Sequence, residues 1–279
     1  MSPVLVRFAL GGREVVVGSY AAFYTLAWVL SPLAGVWLAS RRGLPARRVA
    51  ALYYLALAAG IIGARVFDLG IAWRFYAEDP SRIWSLSFQG FSLYGGLVAA
   101  TLTGIALARM RRLPVWALAD SAVPALMLGD VLMRTGCFLR GCCFGTVTTT
   151  PLGVKFPMGS PSWAQQMLNG QIGVMGLVGQ LKPVHPTQLY EMAGALIVGA
   201  AALWVMSRTR RDGVGFLVFA IGFTLVRLGN GYLRVRQSVI TVPEWFYPVF
   251  YSALALIMLG LLLLRLRSTP RPPRLPWDD

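Results

Sequence analysis

The stretch Pro114-Val-Trp-Ala-Leu-Ala-Asp-Ser-Ala-Val-Pro-Ala-Leu-Met-Leu-Gly-Asp130-Val-Leu-Met-Arg134-Thr-Gly-Cys-Phe-Leu-Arg-Gly-Cys-Cys-Phe-Gly145 decides the fold. Its first part, to Met133, is almost unbroken apolar sequence of the length that crosses a bilayer core, about 20 residues. It ends on Arg134. A guanidinium at membrane depth costs roughly 2.5–3.5 kcal/mol at the centre of a helix, which architecture alone does not justify. Arg65, in Gly60-Ile-Ile-Gly-Ala-Arg65, and Arg227, in Phe223-Thr-Leu-Val-Arg227, repeat the pattern in two other apolar segments. Three such cations, brought together, suit the phosphate monoanion of a lipid headgroup.

The composition agrees. Of 279 residues, 56% are hydrophobic and 13% charged, with a mean hydropathy of +0.61. A soluble domain carries about 25% charged residues, so the chain reads as an all-α integral membrane protein. A net charge of +15 would suit nucleic acid. The basic residues nevertheless sit in short clusters between apolar runs, the pattern of cytoplasmic loops, and a nucleic-acid partner is not expected. The opening Met1-Ser-Pro-Val-Leu-Val-Arg7 lacks the layout of a signal peptide. The first long apolar stretch is therefore expected to be a span.

Apolar segments fall at roughly 17–40, 49–72, 90–108, 114–133, 188–206, 214–233 and 246–264, which predicts seven transmembrane helices. Dense basic clusters follow the odd-numbered spans: Arg41, Arg42, Arg47 and Arg48; Arg109, Arg111 and Arg112; Arg208, Arg210 and Arg211; Arg265, Arg267, Arg271 and Arg274. Positive-inside logic then puts the N-terminus outside and the C-terminus in the cytoplasm. Residues 1–267 form one transmembrane domain, and the Pro/Arg-rich 268–279 reads as a disordered cytoplasmic tail. Arg65, Arg134, Arg140, Arg227 and Arg234 all fall towards the outer ends of their spans, and the long loop 146–187 is exterior. The chemistry is expected to face the exterior leaflet.

Around Arg134, the glycines Gly136, Gly141 and Gly145 are expected to break the helix, and free N–H groups in such a turn can receive an anion. The alternative is a structural ion pair of Arg134 with Asp130 at i, i+4. In Tyr94-Gly95-Gly96, the paired glycines admit close approach of a lipid chain or of another backbone, and small-residue helix packing is the plainer reading. His185, in His185-Pro-Thr-Gln-Leu-Tyr-Glu191, is the only histidine and the only side chain with an unperturbed pKa near 6.5. It is a candidate general base or orienter, or else part of a helix cap with Thr187 and Glu191. Arg227 and Arg234, seven apart, share one helical face if the helix continues, though Arg234 alone could be an interfacial anchor. Cys137-x4-Cys142-Cys143 lacks the paired C-x2-C spacing of zinc sites. No metal is expected there, and a packing role or a disulfide is. Tyr20 and Tyr24, four apart, could present two phenols to a site or simply pack.

Taken together, Tyr20 to Tyr24, Gly60 to Arg65, Tyr94 to Val98, Asp120 through Arg134-Thr-Gly136, His185 to Glu191 and Arg227 through Arg234 resemble, in order and spacing, the bacterial prolipoprotein diacylglyceryl transferase family. The resemblance implies transfer of the diacylglyceryl group of phosphatidylglycerol to the lipobox cysteine of a prolipoprotein signal peptide, with release of glycerol phosphate. The setting would be the bacterial inner membrane, and no cofactor or metal is implied. It assigns catalysis to Arg134, Arg227, His185 and Tyr94. It assigns substrate binding to Arg65, Tyr24, Gly95, Gly96, Gly136, Gly145, Arg234 and Tyr190. The chain departs from the family pattern at Tyr94, which replaces a histidine, at Cys137 and Cys142, which replace Asn and Glu, and at Asn230 or Gly231, where an acid is usual. The base is then His185 or a thiolate-favouring field of arginines. A paralogue with another acceptor, or a phospholipid-binding or transport protein without the chemistry, is the alternative function.

The topology is checked with single cysteines placed in a cysteine-free background. Those near Arg41, Arg111, Arg210 and Arg267 are expected to stay unlabelled by a membrane-impermeant thiol reagent in intact cells, and those at Lys155 and Lys182 to react. Labelling near Arg210 would invert the orientation.

Overall fold

The computed structural model describes residues 4–10, 13–84, 93–172, 181–235 and 243–268. The side chain of Tyr94, the glycine-rich 173–180 and the tail 269–279 lie outside the described part. Two strands open the chain, β1 (Val4–Leu10) and β2 (Arg13–Gly18). Helices α1 (Ser19–Arg41), α2 (Ala46–Ile71), α3 (Trp73–Glu78), α4 (Leu93–Met110), α5 (Val115–Arg140), α6 (Pro161–Leu168), α7 (Thr187–Arg208), α8 (Val214–Leu233) and α9 (Phe246–Leu266) follow. Among the described residues, six helices are long and apolar enough to cross a membrane: α1, α2, α5, α7, α8 and α9. The expected third span, α4, is a shorter apolar helix over Gly95–Met110. The protein is thus mostly helical and multi-spanning.

Two expectations are corrected. Residues before the first span form an antiparallel hairpin, Phe8 opposite Val15 and Ala9 opposite Glu14. Two short valine-rich and apolar runs on either side of Gly11-Gly12 are a hairpin signal. The fourth span does not break at Gly136: α5 runs on to Arg140, and the chain turns at Gly141, whose φ is +77°. Gly136 is helical because it is a contact point. A Cβ there would lie 3.0 Å from Phe23 Cβ and 3.4 Å from the Tyr20 carbonyl oxygen on α1.

The chain divides into two compact units, 32–122 and the combination of 1–31 with 123–279. In the unit 32–122, Ala39, Leu44, Val49, Leu52, Ala108, Leu113, Ala117 and Leu118 form a buried core. Helices α2 and α4 meet backbone to backbone. A Cβ on Gly60 would stand 3.2 Å from the Gly96 carbonyl oxygen, and one on Gly63 2.9 Å from that of Gly95. Without water to drive association, such close small-residue packing is what joins helices in lipid. Asp120, fully buried, accepts a 2.9 Å bond from Arg42 Nη1. Arg65 Nη2 donates to the carbonyls of Arg82 (2.7 Å) and Ile83 (3.0 Å), tying α2 to the turn Pro80–Trp84.

In the larger unit, Val123, Ala202 and Phe219 centre one cluster of α5, α7 and α8, and Phe144, Phe156 and Val184 a second under the long loop. That loop is not plain coil. Ser160 Oγ accepts the Trp163 N–H at 3.2 Å and Pro161 opens α6, a standard helix start. The Gln166 amide then exchanges two 3.1 Å bonds with the backbone of Lys182.

Gly63→Val pushes a branched side chain into the α2–α4 seam. Overpacking of this kind costs about 1–3 kcal/mol, so the thermal unfolding midpoint in detergent is expected to fall. An unchanged midpoint would count against the seam.

Candidate functional site

Helices α5, α7 and α8 bring charged side chains to a common point in the larger unit, two of them from α5. Glu191, on α7, has a side chain only 2% exposed. Its Oε1 accepts from Arg134 Nη2 of α5 at 2.8 Å. Arg227 Nη1 of α8 donates to both Oε1 and Oε2 at 2.8 Å. Asn230 Nδ2 donates to Oε2 at 3.2 Å and to the Thr187 carbonyl at 3.0 Å. The expected i, i+4 pair is also present, Arg134 Nε lying 3.5 Å from Asp130 Oδ1. Two cations meeting two carboxylates in a buried place satisfy the rule that buried charge must be paired. The pairing is incomplete: Arg134 Nε, Asp130 Oδ2 and Asn230 Oδ1 are buried without a hydrogen-bond partner among the described residues. Glu191 also takes only one nitrogen from each guanidinium.

The start of α7 anchors the turn after α5 rather than capping itself. Thr187 Oγ1 donates to the Cys143 carbonyl and Gln188 Nε2 to that of Cys142, both at 2.6 Å. Next to them, Gly145 is threaded between two segments. Its N–H donates to the His185 carbonyl at 2.8 Å, and it bridges to Arg234. A Cβ on it would lie 2.6 Å from the Leu233 carbonyl oxygen and 2.7 Å from His185 Cβ. His185 Nδ1 pairs with Tyr190 OH at 3.3 Å. Tyr24 OH lies 3.7 Å from Cys137 Sγ, and its ring packs on Tyr20 at 4.2 Å. Arg140 covers the other tyrosine ring, its guanidinium carbon 4.8 Å from the Tyr20 centroid.

Arg234 does not share a helical face with Arg227. α8 ends at Leu233, and Arg234 is its extended C-cap, with φ −84° and ψ 136°. From there it lines a cavity of about 700 Å³ together with Gly145, Gln166, Tyr232 and Trp245. The structure thus brings Arg134 and Arg227 together, and His185 beside Tyr190. Gly95 and Gly96, like Arg65 and Tyr94, belong to the unit 32–122, where the two glycines serve the α2–α4 contact. Sequence reading passed over Glu191 and Asn230 as site residues. An acid inside the apolar run 188–206 was the available signal, because an intramembrane carboxylate needs a partner.

Residues 6–266 match the prolipoprotein diacylglyceryl transferase family. The chain belongs to that family. A phosphatidylglycerol–prolipoprotein diacylglyceryl transferase of Rhodopirellula baltica is 27% identical over 93% of this chain and 58% of its own length. The second such transferase of Clostridium perfringens is 28% identical, covering 77% of this chain and 78% of the relative. That of Nostoc sp. is 26% identical over 98% of this chain and 93% of its own length. The chain therefore spans little more than half of the Rhodopirellula relative but nearly all of the Nostoc one. The family match takes in every segment that builds the Arg134–Glu191–Arg227 cluster.

Removing Glu191 leaves two buried guanidiniums with fewer partners. Breaking a buried pair costs about 3–5 kcal/mol, so Glu191→Ala is expected to lower the thermal unfolding midpoint strongly. Glu191→Gln, which keeps an acceptor oxygen, is expected to lower it less. Equal midpoints for wild type and Glu191→Ala would show the cluster to be unimportant for the fold.

Proposed function

We propose that the chain transfers the diacylglyceryl group of phosphatidylglycerol to the lipobox cysteine thiol of a prolipoprotein, releasing glycerol phosphate. The observation that carries this reading is the pair of guanidiniums from α5 and α8 meeting on one carboxylate. Glu191 holds both guanidiniums in place, and in this reading they supply the positive charge that receives the phosphate. The lipobox sulfur attacks the glyceryl carbon that bears the phosphate ester, the carbon–oxygen bond breaks, and its electron pair stays on the phosphate. Negative charge grows on the leaving group, where planar bidentate donors are most effective. A free thiol has a pKa of about 8.5, so a base is needed at neutral pH. His185, oriented through Tyr190, takes the thiol proton and passes it to solvent. Arg234 and Gly145, at the wall of the cavity, and Tyr24 and Gly136, on the facing helices α1 and α5, complete the substrate-binding set. The resemblance alone assigns Arg65, Gly95 and Gly96 to lipid binding and Tyr94 to catalysis. The relatives named for this reaction support the reading.

The proposed setting is a bacterial inner membrane with the N-terminus outside, the C-terminus in the cytoplasm and the site near the exterior leaflet. Basic residues close the last turns of α1, α4, α7 and α9, at Arg41, Arg109, Arg208 and Arg265, in support of that orientation.

Transfer from labelled phosphatidylglycerol to a lipobox peptide, in detergent or vesicles, tests the reading. Arg134→Lys and Arg227→Lys keep charge but lose the planar fork. Each is expected to lose most activity, and the alanine variants more. With Tyr94 positioning the lipid headgroup through its hydroxyl in this reading, Tyr94→Phe is expected to cost roughly 1.5–3 kcal/mol or about 10- to 150-fold in rate, and His185→Ala to lose more. A folded Arg134→Ala protein that transfers at the wild-type rate would sink the assignment. Phosphatidylglycerol binding without transfer by the wild type would leave a lipid-binding protein.

A further inference from the structure

The sulfurs of Cys137, Cys142 and Cys143 all lie within 4.8 Å of one another, although their spacing along the chain gives no hint of it. Two backbone features produce the convergence. Gly141 turns the chain off the end of α5 with φ +77°, and Cys143 adopts φ +61°. A residue with a Cβ rarely holds a left-handed φ, and strain of this kind is characteristic of functional sites. The turn is held from outside by the Thr187 and Gln188 side chains on the Cys143 and Cys142 carbonyls. It is held from inside by the Cys142 N–H donating to the Cys137 carbonyl at 3.1 Å. Cys137 is 1% exposed, and the other two are half-buried, giving a route in. All three are free thiols.

We propose that Cys137, Cys142 and Cys143 form a three-thiolate site for a soft monovalent cation, Cu(I). Thiolates select soft ions, and Cu(I) leads among them. At a metal–sulfur distance of about 2.3 Å, three sulfurs in a trigonal plane stand about 4.0 Å apart. With the three sulfurs within 4.8 Å of one another, the triangle closes to that size by shifts of at most about half an ångström per sulfur. Zinc in a structural site takes four protein ligands, and among the described residues no histidine or carboxylate joins the cluster. Each ligating thiol gives its proton to solvent, and no electron moves. The site adjoins the residues proposed for transfer: Cys137 stands one helical turn beyond Arg134 on α5, and its sulfur lies 3.7 Å from Tyr24 OH.

The full chain, purified in detergent under reducing, oxygen-free conditions, is titrated with Cu(I) held by bicinchoninate. It is expected to withdraw one ion per chain and to develop thiolate-to-copper charge-transfer absorbance. Cys137→Ser, Cys142→Ser and Cys143→Ser are each expected to weaken binding by more than the roughly 10- to 100-fold that loss of an outer hydrogen bond gives. The two half-buried positions carry the test if Cys137→Ser does not fold, with the thermal midpoint as the check. Copper left on the chelator by wild type with three titratable thiols would overturn the proposal. So would binding as tight as wild type by Cys142→Ser and Cys143→Ser, preferential binding of zinc, or a disulfide among the three in protein isolated without reductant.

Discussion

One buried carboxylate, Glu191, holds two guanidiniums from different helices, and the arrangement of α5, α7 and α8 depends on it. Each arginine at membrane depth carries a penalty of several kcal/mol. Neither is tolerable alone; both share Glu191, and Arg134 has Asp130 beside it as well. That requirement fixes the rotation of three helices about their axes, because each must present its charged residue inward at the same level. Apolar packing alone would not do this, since lipid tails are as apolar as the side chains they would replace.

Around the ion cluster, the chain is set by close backbone contact. Gly145 is threaded so tightly beside Leu233 and His185 that only hydrogen fits in place of a side chain. Gly136 does the same between α5 and α1. These glycines lie beside the residues proposed for catalysis, and their role in the structure is to let the walls of the site approach one another.

The spans were legible in the sequence because hydropathy over some 20 residues is a one-dimensional signal. Arg134 and Arg227 were legible for the converse reason, a cation being conspicuous in an apolar run. What joins them was not. Glu191 is as improbable in its run as either arginine, but its pairing with residues 36 and 57 positions away exists only once α5, α7 and α8 are packed. The hairpin of β1 and β2 is not visible to hydropathy because two short strands weigh little in a span-length window. Gly136 was read as a helix break on propensity, and tertiary contact with Phe23 and Tyr20 decided otherwise. The convergence of the three cysteines depends on left-handed torsions at Gly141 and Cys143, which spacing cannot reveal.

Helix α9 contrasts with the rest. It is the most apolar of the candidate spans, with a hydropathy of 2.2, and none of its residues is buried within the protein. The face that α9 turns away from α8 therefore answers mainly to the bilayer. Leucine, isoleucine, valine and phenylalanine are interchangeable over most of its surface so long as the run stays long and uncharged. Away from α8, helix α9 therefore tolerates apolar exchange that α5, α7 and α8, which hold the buried ion cluster, do not.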